Sequence, residues 1–166
     1  MNSENKIMKI KKLFLNKKNI YSILLIVIIF ALDRFSKNEI INMYSENTYY
    51  VNEFLNFNLI WNTGIGFGLF SSDSSLIYNL VTAIITFVIL ILFYVVIISG
   101  NLDKLIYSII IGGALGNFYD RLNYNAVPDF IDLNYNGYHW FTFNVADIFI
   151  TIGIMMLLVK SIFENN

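Results

Sequence analysis

The feature that most constrains this chain is a run of 29 consecutive uncharged residues at 74–102, with a strongly apolar stretch at 76–99. About 20 apolar residues in an α-helix cross the hydrocarbon core of a bilayer. The whole chain is 57% apolar and only 14% charged, whereas a soluble domain carries about 25% charged residues. The sequence therefore predicts an integral membrane protein. Its 166 residues suit a single domain, 1–166.

Other uncharged runs are shorter, and acidic residues interrupt or end them. These runs are 19–32, 105–119, 133–146 and 148–159. They reach spanning length only if Asp33, Asp120 or Asp147 belongs to a helix. We therefore predict an all-α membrane protein with four transmembrane helices, near 17–36, 75–99, 104–120 and 142–160.

The distribution of lysine and arginine predicts the orientation of these helices. Arg34, Lys37 and Arg121 lie on one side of the predicted membrane. Eight lysines lie on the other side: Lys6, Lys9, Lys11, Lys12, Lys17, Lys18, Lys104 and Lys160. Positive residues favour the cytoplasmic side, so both termini and residues 100–104 are predicted to be cytoplasmic. The basic segment 1–18 is interpreted as a topology signal or as an amphipathic surface segment.

Two segments are then extracytoplasmic. Residues 55–59 alternate apolar and polar side chains, and residues 64–68 alternate with glycine. Both patterns predict strands, bent at the glycines, in a small β-cradle. Residues 121–141, rich in Tyr, Asn and Trp, are predicted to form a second outer loop. His139 lies among these aromatic residues, so we interpret it as interfacial rather than catalytic.

Composition excludes several kinds of chemistry. The chain has no cysteine and a single histidine, so thiol nucleophiles, cysteine-ligated metals and multi-histidine sites are excluded. The net charge is −1, which provides no general attraction for nucleic acid. Catalysis must therefore depend on carboxylates, hydroxyls or amides.

Asp147 and Asp129 are the strongest candidates for such chemistry. Asp147 has apolar neighbours on both sides, and an acid within a membrane helix indicates a functional site. It could also form a capping box with Asn144, and the two roles are compatible. Asp129 follows Pro128 in an otherwise apolar stretch, which suggests that it folds back against the membrane. It could equally be an ordinary loop acid.

Two local patterns have structural interpretations. Asp33 and Lys37 are four residues apart, which predicts an ion pair on a helix surface. Gly112 and Gly116 are also four apart, which predicts close packing of two membrane helices.

Five ordered blocks within residues 20–160 resemble the lipoprotein signal peptidase (signal peptidase II) family, which are aspartic proteases of the bacterial cytoplasmic membrane. They are D-R-F-S-K at 33–37, N-T-G-I-G-F-G at 62–68, G-G-A-L-G-N-F-Y-D-R at 112–121, V-P-D-F-I-D at 127–132 and F-N-V-A-D at 143–147. The resemblance implies that Asp129 and Asp147 are catalytic. It implies substrate-binding or supporting roles for Asp33, Lys37, Asn62, Gly64, Asn117, Asp120, Arg121 and Asn144. Gly66 and Pro128 depart from the residues usual in the family.

The resemblance also implies an activity and a location. The expected enzyme cuts the signal peptide from a prolipoprotein just before a diacylglyceryl-modified cysteine, without metal or other cofactor. The expected partners are lipid-modified prolipoproteins and membrane lipid. The active site would face outward from the bacterial cytoplasmic (inner) membrane. A monomer would suffice, and the sequence leaves the oligomeric state open.

Two functions from other classes remain open at this stage. Asp120, Asp129 and Asp132 could hold Mg²⁺ in an enzyme that acts on phospholipid head groups, although Pro128 interrupts the cluster. A transporter or scaffold could instead line a polar path with acids, although here the acids gather at one face.

Overall fold

The computed structural model describes residues 16–43, 48–64 and 75–164. Along the chain the elements are α1 (Lys17–Met43), β1 (Tyr49–Asn52), β2 (Leu55–Asn62), α2 (Ser75–Ile98), α3 (Asn101–Tyr124), β3 (Val127–Tyr135), β4 (Tyr138–Phe143) and α4 (Val145–Glu164). The protein is mostly helical, with a small antiparallel sheet. The fold is therefore not all-α.

Within the described residues, three helices are long and apolar enough to cross a membrane: Lys17–Met43, Leu76–Ile98 and Val145–Glu164. Large apolar side chains such as Leu24, Phe87 and Leu158 point outward from them, as lipid-facing residues do. The fourth helix, α3, packs against each of the other three. Its polar side chains can therefore face protein rather than lipid, which explains its lower hydropathy.

Glycines on α3 allow the helices to approach closely. A Cβ atom added at Gly112 would lie 2.7 Å from the Cβ atom of Ile29 on α1. A Cβ atom added at Gly113 would lie 2.5 Å from the carbonyl oxygen of Ala146 on α4. The predicted close packing at Gly112 is confirmed, and the adjacent glycine extends it to a second helix.

The helices differ from the predicted spans at one or both ends, and α3 and α4 run Asn101–Tyr124 and Val145–Glu164 instead of 104–120 and 142–160. The first was predicted to end at 36, but α1 continues to Met43, because its polar residues Asp33 and Lys37 are buried against protein. The last was predicted to begin at 142, but β4 continues to Phe143 and α4 begins at Val145.

The four strands form one sheet in the order β1–β2–β3–β4. The strand predicted at 55–59 is confirmed as part of β2, whereas 65–68, with Gly66, lies outside the described residues. The prediction of a second outer loop at 121–141 is wrong, because this segment is not a loop: it contains β3 and most of β4. The turn between them uses Asn136 and Gly137 with φ of 50° and 76°, the conformation that an Asn-Gly hairpin turn adopts.

Pro128 is accommodated within β3. It pairs in register with Trp61 on β2. The pairing of β3 with β4 begins only at Ile131. At Pro128, therefore, the edge of β3 that faces β4 has no strand hydrogen-bonded to it. A proline can occupy such a position because no ladder donor is needed there.

Candidate active site

The sheet and the helix bundle bring Asp129 and Asp147 to one buried site. Asp129 lies on β3 and is 2% exposed, and Asp147 lies in the first turn of α4 and is 8% exposed. Asn144, between β4 and α4, contacts both of them. Its Nδ2 donates to Asp129 Oδ1 at 2.6 Å, while its Oδ1 accepts from the backbone N–H of Asp147 at 3.1 Å. Asn144 therefore links the two aspartates, through its side chain to the Asp129 carboxylate and to the Asp147 backbone.

The capping box predicted for Asn144 and Asp147 is present. Asp147 Oδ2 accepts from the backbone N–H of Asn144 at 3.2 Å, which complements the hydrogen bond in the other direction. The other Asp147 oxygen, Oδ1, accepts from Asn117 Nδ2 at 2.8 Å. Asn144 is thus the N-terminal cap of α4, and Asp147 is both its partner in the capping box and part of the buried site, as the two interpretations allowed.

Asn62, at the end of β2, contacts Asp129 from the other side. Its Nδ2 donates to Asp129 Oδ2 at 2.8 Å, and its Oδ1 accepts from the backbone N–H of Gly64 at 2.8 Å. The antiparallel pairing of β2 with β3 places Asn62 opposite Val127, near enough to reach Asp129. The structure therefore brings Asn62 and Gly64 to the site, as the resemblance implied.

Asn117 on α3 connects Asp147 to a buried lysine. Lys37 is fully buried, and its Nζ donates to Asn117 Oδ1 at 2.8 Å. The same ammonium donates to Asp33 Oδ2 at 2.9 Å and to Asp120 Oδ2 at 2.7 Å. The predicted Asp33–Lys37 pair is confirmed, but it is buried rather than on a helix surface.

The orientation of all three amides follows from these partners. An ammonium or a backbone N–H can only donate, so the atom that it contacts on Asn62, Asn117 or Asn144 must be the amide oxygen. Each NH₂ group then points at a carboxylate oxygen. As a result, every carboxylate oxygen of Asp129 and Asp147 accepts one hydrogen bond from an oriented donor. The site is arranged for carboxylate chemistry.

Asp33 and Asp120 anchor this network to the helices. Asp33 Oδ1 accepts from the backbone N–H of Ala146 at 2.9 Å, which fixes the first turn of α4 against α1. Asp120 is also paired with Arg34, whose guanidinium lies 4.7 Å from the ring centroid of Tyr119. Arg34 has a place in the D-R-F-S-K block and in the charge distribution, but the sequence predicted no role for it at the site. Arg34 lies one helical turn before Lys37, so both side chains point in a similar direction and can reach the same partner, Asp120. This spacing is the sequence signal for the contact.

Arg121 reaches the site from the end of α3. Its Nη2 donates to the carbonyl oxygen of Gly64 at 2.6 Å, and its Nη1 donates to the carbonyl oxygen of Asn117 at 3.2 Å. The side chain is buried, and Nε has no hydrogen-bond partner within 16–43, 48–64 and 75–164. Arg121 therefore connects the segment after β2 to α3 through hydrogen bonds. Its Nε–H remains available as a donor.

The environment of Asp129 favours its protonated form. Burial desolvates the carboxylate, and the nearby Asp147 carries a like charge. Together they raise the pKa of Asp129 from 3.8 to about 6, although the amides of Asn62 and Asn144 act in the opposite direction. A carboxyl group that titrates near neutrality next to a second carboxylate is suited to acid–base catalysis.

Asp132 does not join this site. Although it is almost fully buried, its Oδ2 contacts His139 Nδ1 at 2.7 Å, whereas Asp120 is held by Lys37 and Arg34. The three acids of the proposed Mg²⁺ cluster thus have separate partners. Within the described ranges, no group of three or more His, Asp or Glu residues is arranged to hold a metal ion.

Two largely apolar cavities border Asp147. One, of about 470 Å³, lies between α2, α3 and α4 and reaches Asn117 and Arg121. The other, of about 360 Å³, lies between the β3–β4 hairpin and α4 and is lined by Leu133 and Phe143. An extended or lipidated ligand could therefore approach Asp147 along either side of α4.

This fold and site define a membrane protein with a buried pair of aspartates, both in contact with Asn144, at one end of a helix bundle. Residues 25–163 match the family described as signal peptidase (SPase) II. The chain belongs to this family, and it is accordingly a membrane protease that processes lipoproteins.

Individual relatives and solved structures agree with this assignment. The lipoprotein signal peptidase of Pelagibacter ubique (strain HTCC1062) is 47% identical over 156 residues, which cover 92% of this chain and 94% of the relative. That of Wigglesworthia glossinidia brevipalpis is 41% identical, with 86% and 95% covered. A bacterial membrane enzyme solved by the in meso method at 2.3 Å superposes with a TM-score of 0.77 at 29% identity, covering 88% of this chain and 90% of that one.

Proposed function

We propose that Asp129 and Asp147 are the catalytic pair of an aspartic endopeptidase. The observation that supports this proposal is the position of Asn144, whose side-chain NH₂ donates to the Asp129 carboxylate and whose backbone N–H donates to the Asp147 carboxylate. Two neighbouring carboxyl groups do not ionise together readily, so one holds a proton near neutral pH. The ionised member removes a proton from water, which attacks the scissile carbonyl carbon. The protonated member donates a hydrogen bond to the carbonyl oxygen as negative charge develops there. The tetrahedral intermediate then collapses: the C–N bond breaks, and the leaving amine takes the proton that the other carboxylate had removed from water.

The remaining residues position this pair. Asn62, Asn117 and Asn144 donate to the aspartates, and Lys37 and the backbone N–H of Gly64 orient two of those amides. Three further residues hold the elements together: Asp33, Asp120 and Arg121. Arg121 Nε, which has no hydrogen-bond partner among the described residues, is available to a substrate carbonyl.

The substrate is the signal peptide of a prolipoprotein, cut just before a diacylglyceryl-modified cysteine. The relatives named lipoprotein signal peptidase support this substrate class. The apolar cavities on either side of Asp147 support a ligand that carries acyl chains. No metal or cofactor takes part in the proposed steps, and a single chain of one domain contains the whole site.

The protein spans the bacterial inner membrane four times, with α3 as the fourth span and both termini in the cytoplasm. The lysine-rich N-terminal segment supports this orientation. The aspartates then lie at the extracytoplasmic end of the bundle, with the sheet on the same side. Single-cysteine labelling suits a chain without native cysteine. Labelling of position 102 from outside intact cells would contradict the topology.

The decisive experiment compares cleavage of a lipidated precursor by wild-type protein and by Asp129→Asn and Asp147→Asn. Each variant should fold and lose turnover, because asparagine keeps the shape but cannot exchange the proton. Asp132→Asn is the matched control, since Asp132 is buried on the same strand but contacts His139 instead. Near-normal cleavage by Asp129→Asn would refute the assignment of the pair.

A second experiment tests the substrate and the absence of metal. Acyl chains hold the modified cysteine at membrane depth, with each buried CH₂ worth about 0.8 kcal/mol. Binding of the acyl chains, which lie away from the scissile bond, helps to position the peptide for attack. Cleavage should therefore fall sharply for a precursor without its diacylglyceryl group and should persist in EDTA. Equal cleavage of lipidated and bare precursors would contradict the substrate class, and strong inhibition by EDTA would favour the Mg²⁺ alternative.

A further inference from the structure

The end of the helix bundle opposite the aspartates contains a buried lysine without an acidic partner. Lys104, in the first turn of α3, is 6% exposed. Its Nζ donates to Asn19 Oδ1 at 2.7 Å and to the carbonyl oxygens of Val96 and Ile97. All three acceptors are uncharged. The ammonium is therefore hydrogen-bonded, but among the described residues no carboxylate pairs with it, and its charge faces the C-terminal dipole of α2.

The neighbouring charges do not supply the missing counterion. Lys18, at the start of α1, adds a second positive charge that acts on Lys104. Asp103 is adjacent in sequence, but its carboxylate pairs with Lys160. Within residues 16–43, 48–64 and 75–164, neither Lys18 nor Lys104 forms an ion pair. A buried charge is costly unless it is paired, so this location favours an anion.

A cavity of about 270 Å³ lies between α1 and α3 at this point. Two lysines, Lys18 and Lys104, line it together with the polar side chains of Tyr21 and Ser22. Leu25, two turns of α1 further into the bundle, lines its apolar side. The cavity thus combines cations and hydroxyl groups at the end of the bundle with apolar surface toward its middle.

We infer that this cavity binds the phosphate-bearing head group of an anionic phospholipid. The phosphate would accept hydrogen bonds from Lys18 and Tyr21, whereas Lys104, whose three N–H groups already have acceptors, would attract it by charge. The first part of an acyl chain would follow Leu25. Basic pockets between membrane helices commonly bind such head groups. Free phosphate shares the charge but not the acyl chain, and the apolar side of the cavity favours the lipid.

The test measures thermal unfolding of the purified full-length protein in detergent with added phosphatidylglycerol. Phosphatidylcholine with the same acyl chains and inorganic phosphate form the two comparison arms. Phosphatidylglycerol should raise the melting temperature by about 3–6 °C more than either. An equal rise with phosphatidylcholine would overturn the inference, and an equal rise with inorganic phosphate would overturn its assignment to a lipid.

Lys18→Gln is the informative variant, because Lys18 is exposed and lines the cavity. Replacement of Lys104 would also remove the hydrogen bonds to the carbonyl groups at the end of α2. A loss of stability from that cause could not be distinguished from a loss of lipid binding. Lys17→Gln is the matched control: it removes the same charge one residue earlier, outside the cavity lining. Lys18→Gln should lose most of the shift and Lys17→Gln should keep it. Equal losses in both would indicate diffuse attraction to the basic segment and overturn the site.

Discussion

The Lys37 ammonium and the Asn117 amide oxygen form a hydrogen bond of 2.8 Å between α1 and α3. Because lysine can only donate, this contact turns the NH₂ group of Asn117 toward Asp147, 2.8 Å away. A positive charge on the first helix therefore controls which group faces a carboxylate on the last one. The same ammonium binds Asp33 and Asp120, so orientation and stability depend on one side chain.

Lys37→Met should lower the free energy of unfolding by about 3–5 kcal/mol, because it leaves buried carboxylates without their cation. Combining it with Asp33→Asn should cost less than the sum of the two single losses, since the pair is removed together. Thermal unfolding in detergent measures both effects. Lys17→Met, at an exposed position of the same helix, is the control and should change little. Equal stability of the two lysine variants would contradict the role of Lys37.

Asn144 has two functions that one substitution can separate. Serine is also a good N-terminal cap, so Asn144→Ser should keep α4 stable. It cannot present an amide donor to Asp129, so kcat/KM should fall about 10–100-fold, the usual effect of losing a hydrogen bond to a charged group. Asn144→Ala should lose both functions, with about 1 kcal/mol of stability lost in addition. If the serine variant cleaved a lipidated precursor normally, Asn144 would be only a cap.

Local patterns were sufficient to predict the helices and the capping box. Asn144 and Asp147 are three residues apart and Asp33 and Lys37 are four apart, so helix geometry alone brings each pair into contact. Residues 55–59 likewise showed the alternation of a strand. Each of these contacts depends on a few consecutive residues, which is why the sequence contained enough information.

The contacts between distant segments could not be derived in this way. Asn62 and Asp129 are hydrogen-bonded although they are 67 residues apart in sequence, and Lys37 and Asn117 although they are 80 apart. Those pairings depend on strand register and on glycine-mediated helix packing, and only the family resemblance indicated that the residues belong together. The β3–β4 hairpin was predicted as a loop because its many Tyr and Asn residues obscured the pattern. Its Asn136-Gly137 pair was the signal that could have indicated the turn.

The buried carboxyl group of Asp129 should make stability depend on pH. Its pKa is raised to about 6, so between about pH 4 and pH 6 the folded chain keeps a proton that the unfolded chain releases. The free energy of unfolding therefore falls as pH rises through this range. A shift of about two pH units corresponds to on the order of 3 kcal/mol, and above pH 6 the loss is complete.

Unfolding of wild-type protein and of Asp129→Asn, measured from pH 4 to pH 8, checks this expectation. The variant has no proton to release at this position, so its stability should rise relative to wild type between pH 4 and pH 6. The difference should then stay constant up to pH 8. A difference that does not change with pH would show that Asp129 titrates normally, and the proposed sharing of a proton with Asp147 would lose its support.

The first turn of α4 is held between α1 and α3. The spacing of these helices should therefore control where Asp147 lies. Asp33 on α1 accepts from the Ala146 N–H at 2.9 Å, while Gly113 on α3 lies against the Ala146 carbonyl group. A Cβ atom at position 113 would lie 2.5 Å from that carbonyl oxygen, so the helix backbones must separate. Such overpacking costs about 1–3 kcal/mol, and a shift near 1 Å in a catalytic group can reduce turnover about 100-fold.

Gly113→Ala should therefore reduce kcat for a lipidated precursor about 100-fold while the protein still folds. Gly100→Ala is the matched control, because a Cβ atom there meets nothing within 4 Å, and its φ of −70° suits alanine. Thermal unfolding and single-turnover cleavage of both variants separate the two effects. Wild-type turnover in Gly113→Ala would mean that the spacing of α3 and α4 does not position Asp147. A loss in Gly100→Ala as large as that in Gly113→Ala would mean that the effect is not specific to this contact.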